Sequence, residues 1–228
     1  MPDSNNIKAI LFDYDGVMAD SESLHFQAFK KILADENISL TRAHYDETLI
    51  GFDDRDAFEY IRTTHHKNWS AEYLETLNLK KRQLFAEMLH EPKCLFEGVV
   101  QNLPLLFKKF KLGIVSGARK SEINRINEFN GIQKYFAFVV ATDDVQHSKP
   151  SPEGYLKGFE KMAQLIPGLK KSEVLVVEDT HHGITAAKEA GLFVIGISTS
   201  HALSVLKTFK PSMTVQDHQE LFKYLVSL

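Results

Sequence analysis

Cysteine is almost absent: Cys94 stands alone in 228 residues, so an intrachain disulfide is excluded and a reducing compartment fits. With no Cys or His partner at metal-ligand spacing, Cys94 reads as a buried apolar side chain. Also missing is any apolar run approaching the roughly 20 residues of a membrane span. The N-terminal stretch MPDSNNIKAILF has no basic head before its short apolar segment, so the expectation is a cytoplasmic protein with no membrane partner. Charge of one sign is lacking too. Lys plus Arg total 27 and Asp plus Glu total 30, a formal net charge of −3, which offers nucleic acid no basic surface. Low-complexity segments and internal repeats do not occur. Hydrophobic residues at 43% and charged residues at 25% are ordinary for a globular chain, and the length suffices for a domain plus a smaller one. No stripe of exposed apolar residues can be told from core, so no oligomeric state is assigned; a monomer is compatible with the chain.

What is present centres on FDYDGVMADSE, residues 12–22. It follows the apolar run Ile7 to Leu11, read as a buried strand, and sets Asp13 and Asp15 at that strand's carboxyl end, with Gly16 turning the backbone. In open α/β sheets, ligands bind beyond the carboxyl ends of the strands. A lone Asp-x-Asp is equally a turn whose carboxylates cap amides. From Val17 to Leu89 no strand is expected: helical periodicity covers Leu24 to Leu33 and residues 42–50, 54–64 and 71–89, and Pro92 closes the run. Such a run inserted after the first strand reads as a separate helical subdomain over residues 17–92, with residues 1–16 and 93–228 forming the core.

In the core the pattern alternates. Helices are expected at 98–110, 121–129 and 184–190, the last two stopped by Gly131 and Gly191. Another opens at Ser151-Pro152-Glu153, with Ser151 as cap. Strands are expected at 112–115, 136–140, 174–177 and 193–197, each a continuous apolar run. The fold class that follows is α/β: a Rossmann-like parallel sheet with helices on both faces, plus an inserted α-helical cap domain.

Polar residues stand just past four of these strands: Asp13 and Asp15, Ser116 and Gly117, Lys149 in HSKPSPEGY, and Glu178 and Asp179. A parallel sheet brings all its strand ends to one edge, so these groups converge. Several carboxylates repel unless a cation sits among them, and all-oxygen donors suit Mg²⁺ better than Zn²⁺. A hydroxyl, backbone amides and a lysine suit a phosphoryl group. His181 and His182 diverge as neighbours and lack a third ligand, so they read as exposed loop residues. Gly183, Ala186, Ala187 and Gly191 read as small residues for helix-to-sheet packing.

The order DYDGV, VSG, SKPSPE and VVEDTHHGITAAKEAG resembles the four signature motifs of the haloacid dehalogenase superfamily, and within it the phosphoglycolate phosphatase and β-phosphoglucomutase branch with a helical cap. The resemblance covers nearly the whole chain. It implies that Asp13 is the nucleophile, forming an aspartyl phosphate, and that Asp15 is acid and then base. It further implies that Ser116, the Gly117 amide and Lys149 hold the phosphoryl group. Mg²⁺ would be held by Asp13, the Asp15 carbonyl and Asp179, with Glu178 direct or through water; Glu178 could instead orient Lys149. Substrate contacts implied for the cap are His25, Gly51, Phe52, Asp53, Asp54 and Arg55, although Arg55 equally fits a surface ion pair.

The implied function is a Mg²⁺-dependent phosphatase acting on a small phosphorylated metabolite. The alternatives are a β-phosphoglucomutase-like phosphosugar mutase and a non-catalytic phosphometabolite-binding protein. Asp15 speaks against a dehalogenase. Where the mutase pattern carries an arginine for a second phosphate, this chain has Asp54, with Arg55 displaced by one position, a rotation of about 100° on a helix. Lys120 stands where the mutase has an asparagine. Loss of Asp13, Asp15, Lys149 or Asp179 would mark a silent binder, and all four are present.

Overall fold

The computed structural model describes residues 6–88 and 94–228. They fall into two compact units, one of Met1–Asp20 with Pro92–Leu228 and the other Ser21–Glu91. Among the described residues no helix is long and apolar enough to cross a membrane.

The first unit is built on six parallel strands: β1 Ala9–Phe12, β2 Lys111–Val115, β3 Phe136–Val140, β4 Val174–Glu178, β5 Phe193–Ile197 and β6 Met213–Val215. Their spatial order is β3-β2-β1-β4-β5-β6. The chain therefore lays strands outward on one side of β1 and then returns to lay β4 to β6 on the other. This doubly wound order opens a crevice beyond the carboxyl ends of β1 and β4, where the direction reverses. β1 and β4 are buried along their whole length, as the apolar runs of residues 9–12 and 174–177 require, with Glu178 the one charged residue buried with them at the end of β4. The core gathers Leu11, Val115, Val140, Val176 and Val194 from the strands with Tyr155, Met162, Ile184 and Leu206 from the helices.

The second unit contains α1 Glu22–Asp35, α2 Arg42–Thr48, α3 Asp54–Thr64 and α4 Ala71–Met88. It closes around its own apolar cluster, in which Phe29, Leu33, Tyr45, Phe58, Ile61 and Leu77 are buried. The first unit's helices are α5 Val99–Lys109, α6 Lys120–Phe129, α7 Glu153–Leu165, α8 His181–Glu189, α9 Leu203–Thr208 and α10 His218–Ser227.

Several expectations need correction. The helix expected from Ile184 starts at His181, because the Thr180 hydroxyl accepts the Gly183 amide at 3.1 Å and caps the turn. His181 and His182 thus lie in the first turn of α8, not in a loop. α7 begins at Glu153, with Pro152 in the cap position and the Ser151 hydroxyl only 3.3 Å from the Glu153 amide. Cys94 is half-buried. A sixth strand was not anticipated, since three residues are too few to show a period, and neither were the helices α9 and α10 beyond β5. Leu89 and Pro92, expected at the end of α4, lie outside the described residues.

Candidate active site

Parallel register sets the first pair of acids side by side. Phe12 is paired with Val177, and the Asp13 amide donates to the Val177 carbonyl at 3.0 Å, so Asp13 and Glu178 leave neighbouring strands at the same level. Asp179 follows. Ligand oxygens of Asp13, Glu178 and Asp179 all lie within 4.8 Å of one another, and all three residues are buried.

Lys149 reaches into this group from the loop before α7. Its ammonium donates to Asp13 Oδ1 at 2.5 Å, to Glu178 Oε1 at 2.5 Å and to the Val115 carbonyl at 3.2 Å. Those three acceptors use all three of its protons. Burial by itself would lower its pKa, but Asp13 and Glu178 outweigh that and hold it above the ordinary lysine range. For Asp13 the balance goes the other way: burial and the charge of Glu178 push its carboxyl well above the usual range, with Lys149 opposing them. Three buried acidic side chains thus cluster where one ammonium pairs with two of them, and all three could ionise together only with more positive charge beside them. This shortage of positive charge, with oxygen as the only donor atom, is a setting that fits a hard divalent cation.

The remaining neighbours hold the acids in place. Tyr155, buried in α7, donates to Glu178 Oε1 at 2.6 Å, and the Asp179 amide donates to Glu178 Oε2 at 3.2 Å. Asp179 Oδ2 accepts the Ser200 hydroxyl, and Thr199 lies 3.3 Å from the same oxygen while donating to the Gly16 carbonyl at 2.6 Å. Gly16 has φ of 78°, and a Cβ there would fall 1.8 Å from Asp179 Oδ2. A Cβ on Gly183 would fall 1.9 Å from the Glu178 carboxylate, so this glycine leaves room for Glu178 as well as for helix packing.

Asp15 is half-buried in the loop that follows Asp13. Ser116 is buried at the end of β2, its hydroxyl accepting the Ala118 amide at 3.0 Å. Ser116, Gly117, Ser148 and Lys149 line one small recess. The structure therefore brings Asp13, Lys149, Glu178 and Asp179 into direct contact or close range, with Ser116 and Gly117 beside Lys149.

The remaining candidates belong to the helical unit and are held there by their own partners. His25 Nδ1 lies 2.6 Å from the ammonium of Lys81, a fully buried residue of α4, and Asp54 Oδ1 accepts from the same ammonium at 2.7 Å. Since an ammonium only donates, Nδ1 is the acceptor and the ring is neutral; desolvation and the Lys81 charge hold its pKa well below the usual value. Asp53 caps α3 by accepting the Asp56 amide at 2.9 Å, and Arg55 pairs with it at 3.2 Å. Phe52 packs edge-on against Tyr60, and Gly51 has φ of 86°.

Sequence reasoning missed Tyr155, Lys81, Thr199 and Ser200. The last two follow β5, so the rule that found the other strand-end residues would have found them. Nothing in the local pattern marks Tyr155 or Lys81, which sit at helical positions indistinguishable from core or surface.

Residues 10–197 match the family described as haloacid dehalogenase-like hydrolase. A phosphorylated carbohydrates phosphatase from Thermotoga maritima is 28% identical over 189 residues, 82% of this chain and 82% of its own length. Pyrophosphatase PpaX from Anoxybacillus flavithermus is 28% identical over 225 residues, 96% of this chain and 97% of its own. The crystal structure of β-phosphoglucomutase from Clostridium difficile aligns with a TM-score of 0.81 at 21% identity, covering 97% of this chain and 98% of that one, a likeness of fold.

Proposed function

Because the chain belongs to the haloacid dehalogenase-like hydrolase family, we propose that it is a Mg²⁺-dependent phosphatase that hydrolyses a small phosphate monoester through an aspartyl phosphate on Asp13. The observation that carries this reading is the shared lysine: Lys149 bridges Asp13 and Glu178 at 2.5 Å each, one residue from Asp179.

The chemistry follows from the charges. Burial and the charge of Glu178 favour the protonated Asp13, which is useless as a nucleophile; the ammonium of Lys149 opposes them, and a divalent cation in the cluster would favour the carboxylate further. A carboxylate oxygen of Asp13 attacks phosphorus as the ester oxygen leaves. Asp15 gives that oxygen its proton, then takes one from the water that cleaves the acyl phosphate and restores Asp13. Ser116 and the Gly117 amide hold phosphoryl oxygens beside Lys149. Glu178, tied to Lys149 and Tyr155, keeps the ammonium aimed at Asp13. Mg²⁺ would be held by Asp13, the Asp15 carbonyl and Asp179, with Glu178 direct or through water, and would neutralise the charge of the incoming phosphate.

The names of the relatives support phosphorylated carbohydrates and pyrophosphate as the first compounds to try. A mutase is the weaker reading, because Asp54, at the position where a second phosphate would need a cation, is an anion already paired with Lys81. Phosphate release is to be measured over sugar phosphates, short phosphorylated acids, nucleotides and pyrophosphate, with Mg²⁺ and with EDTA. Metal-dependent release from one class is expected, and Asp13→Asn should lower it on the order of 10³-fold or more while the fold persists. Release that survives EDTA or Asp13→Asn unchanged would overturn the proposal.

A further inference from the structure

His218, the first residue of α10, has no part in the chemistry above. Its Nε2 lies 2.8 Å from the Val17 carbonyl oxygen. A carbonyl only accepts, so Nε2 carries the proton. The ring lies almost flat on Phe96, with centroids 4.2 Å apart and an interplanar angle of 22°, and Phe222 flanks it at 6.2 Å. Stacking fixes the plane of the ring and therefore the direction of the N–H.

Val17 belongs to the loop that carries Asp15. That loop is closed by a backbone bridge between Asp15 and Ala19 and by the Met18 and Ala19 amides, which donate to the Tyr14 carbonyl at 2.7 and 2.9 Å. Around it, successive carbonyls are gripped from different elements. Gly16 accepts from Thr199 at 2.6 Å, Val17 from His218, and Met18 from the Phe96 amide at 3.1 Å, while the Tyr14 hydroxyl is anchored on Asn127 at 2.9 Å. Thr199 also touches Asp179. Among these side-chain grips, His218 is one that holds the loop just past Asp15 without touching an acid of the cluster.

We infer that His218 is a positioning residue for Asp15: its N–H on the Val17 carbonyl, locked by the Phe96 stack, holds the loop so that the Asp15 carboxyl meets the leaving oxygen. The inference rests on the reading of Asp15 as acid and base given above. Proton transfer in the transition state depends on sub-ångström placement, so a loosened loop costs rate without costing binding. His218 also lines an open groove with Asn102, Phe222 and Lys223, so a replacement side chain meets solvent on that side.

The test compares His218→Phe, which keeps the stacked ring and loses the donor, with His218→Gln, which keeps an N–H donor at similar reach, and with Asp15→Asn. Alcohol release is followed in single turnover on p-nitrophenyl phosphate and on the most active sugar phosphate, with steady-state kcat and KM and a thermal midpoint for each variant. His218→Phe should lose about tenfold in kcat on the sugar phosphate with KM nearly unchanged, and much less in alcohol release from the aryl ester, which needs no acid. His218→Gln should recover most of the loss. Wild-type kcat in His218→Phe, or equal losses on both esters with a lowered midpoint and no recovery in Gln, would overturn the inference while an inactive Asp15→Asn left the Asp15 reading standing. Wild-type turnover in Asp15→Asn would instead remove the Asp15 reading and this inference with it.

Discussion

At Gly16 two demands coincide. The backbone there has φ of 78°, and the space a Cβ would fill is held by Asp179 Oδ2, 1.8 Å away. Gly16→Ala should therefore both strain the turn, by about 1–3 kcal/mol, and push Asp179 off its bonds to Ser200 and Thr199. Urea melts should show the stability loss, and calorimetric titration should show weakened Mg²⁺ binding. A mutant that binds the metal normally would mean that Asp179 adapts. Tyr155→Phe is the complementary case. It removes a donor from the fully buried Glu178 while keeping the ring in the core, and leaving that carboxylate short of one hydrogen bond should cost about 1–3 kcal/mol. An unchanged urea midpoint would show that the tyrosine hydroxyl is not needed there. Gly16 was visible in the sequence as a turn residue, but its conflict with Asp179, far along the chain, was not.

At the scale of elements, the loop that delivers Lys149 is tied to the start of α7. The Glu153 carboxylate accepts from Lys157 at 2.6 Å and from the amides of Gln146 and His147 at 3.0 and 2.9 Å. Lys157 first, and then those amides, hold its pKa at about 2, below its ordinary 4.5. A depressed carboxylate stabilises the folded state above its unfolded pKa and loses that contribution as pH falls through the folded one. The loss falls between pH 4.5 and about 2. Glu153→Gln, which cannot titrate, should show a shallower decline of thermal midpoint across that window than the wild type; parallel declines would place the acid sensitivity elsewhere. The helix itself was readable from Ser151-Pro152-Glu153, although its start was placed early. The bracing of the loop was not, because it depends on where the chain folds back before the helix begins.

For the whole molecule, two units with separate apolar cores are expected to unfold as separate events. The acidic cluster belongs to the first unit alone. Mg²⁺ at a hundred times its dissociation constant would stabilise that unit by about 2.7 kcal/mol, or about 5–10 °C at this size. The second unit's transition should not move. Calorimetric scans with Mg²⁺ and with EDTA check this; a shift in both transitions, or in neither, would contradict it. The order of strands and helices as far as β5, the helical insertion and the strand-end positions of Asp13, Ser116 and Asp179 were determined by sequence alone. Apolar runs and turn residues are local signals, and a parallel sheet sends every strand end to one edge. Only the tertiary structure decided that Lys149, 136 residues from Asp13, lies between it and Glu178, that Tyr155 supports them, and that Asp54 faces Lys81. Such contacts depend on how each helix is rotated against its neighbours, and no periodicity in one dimension carries that angle.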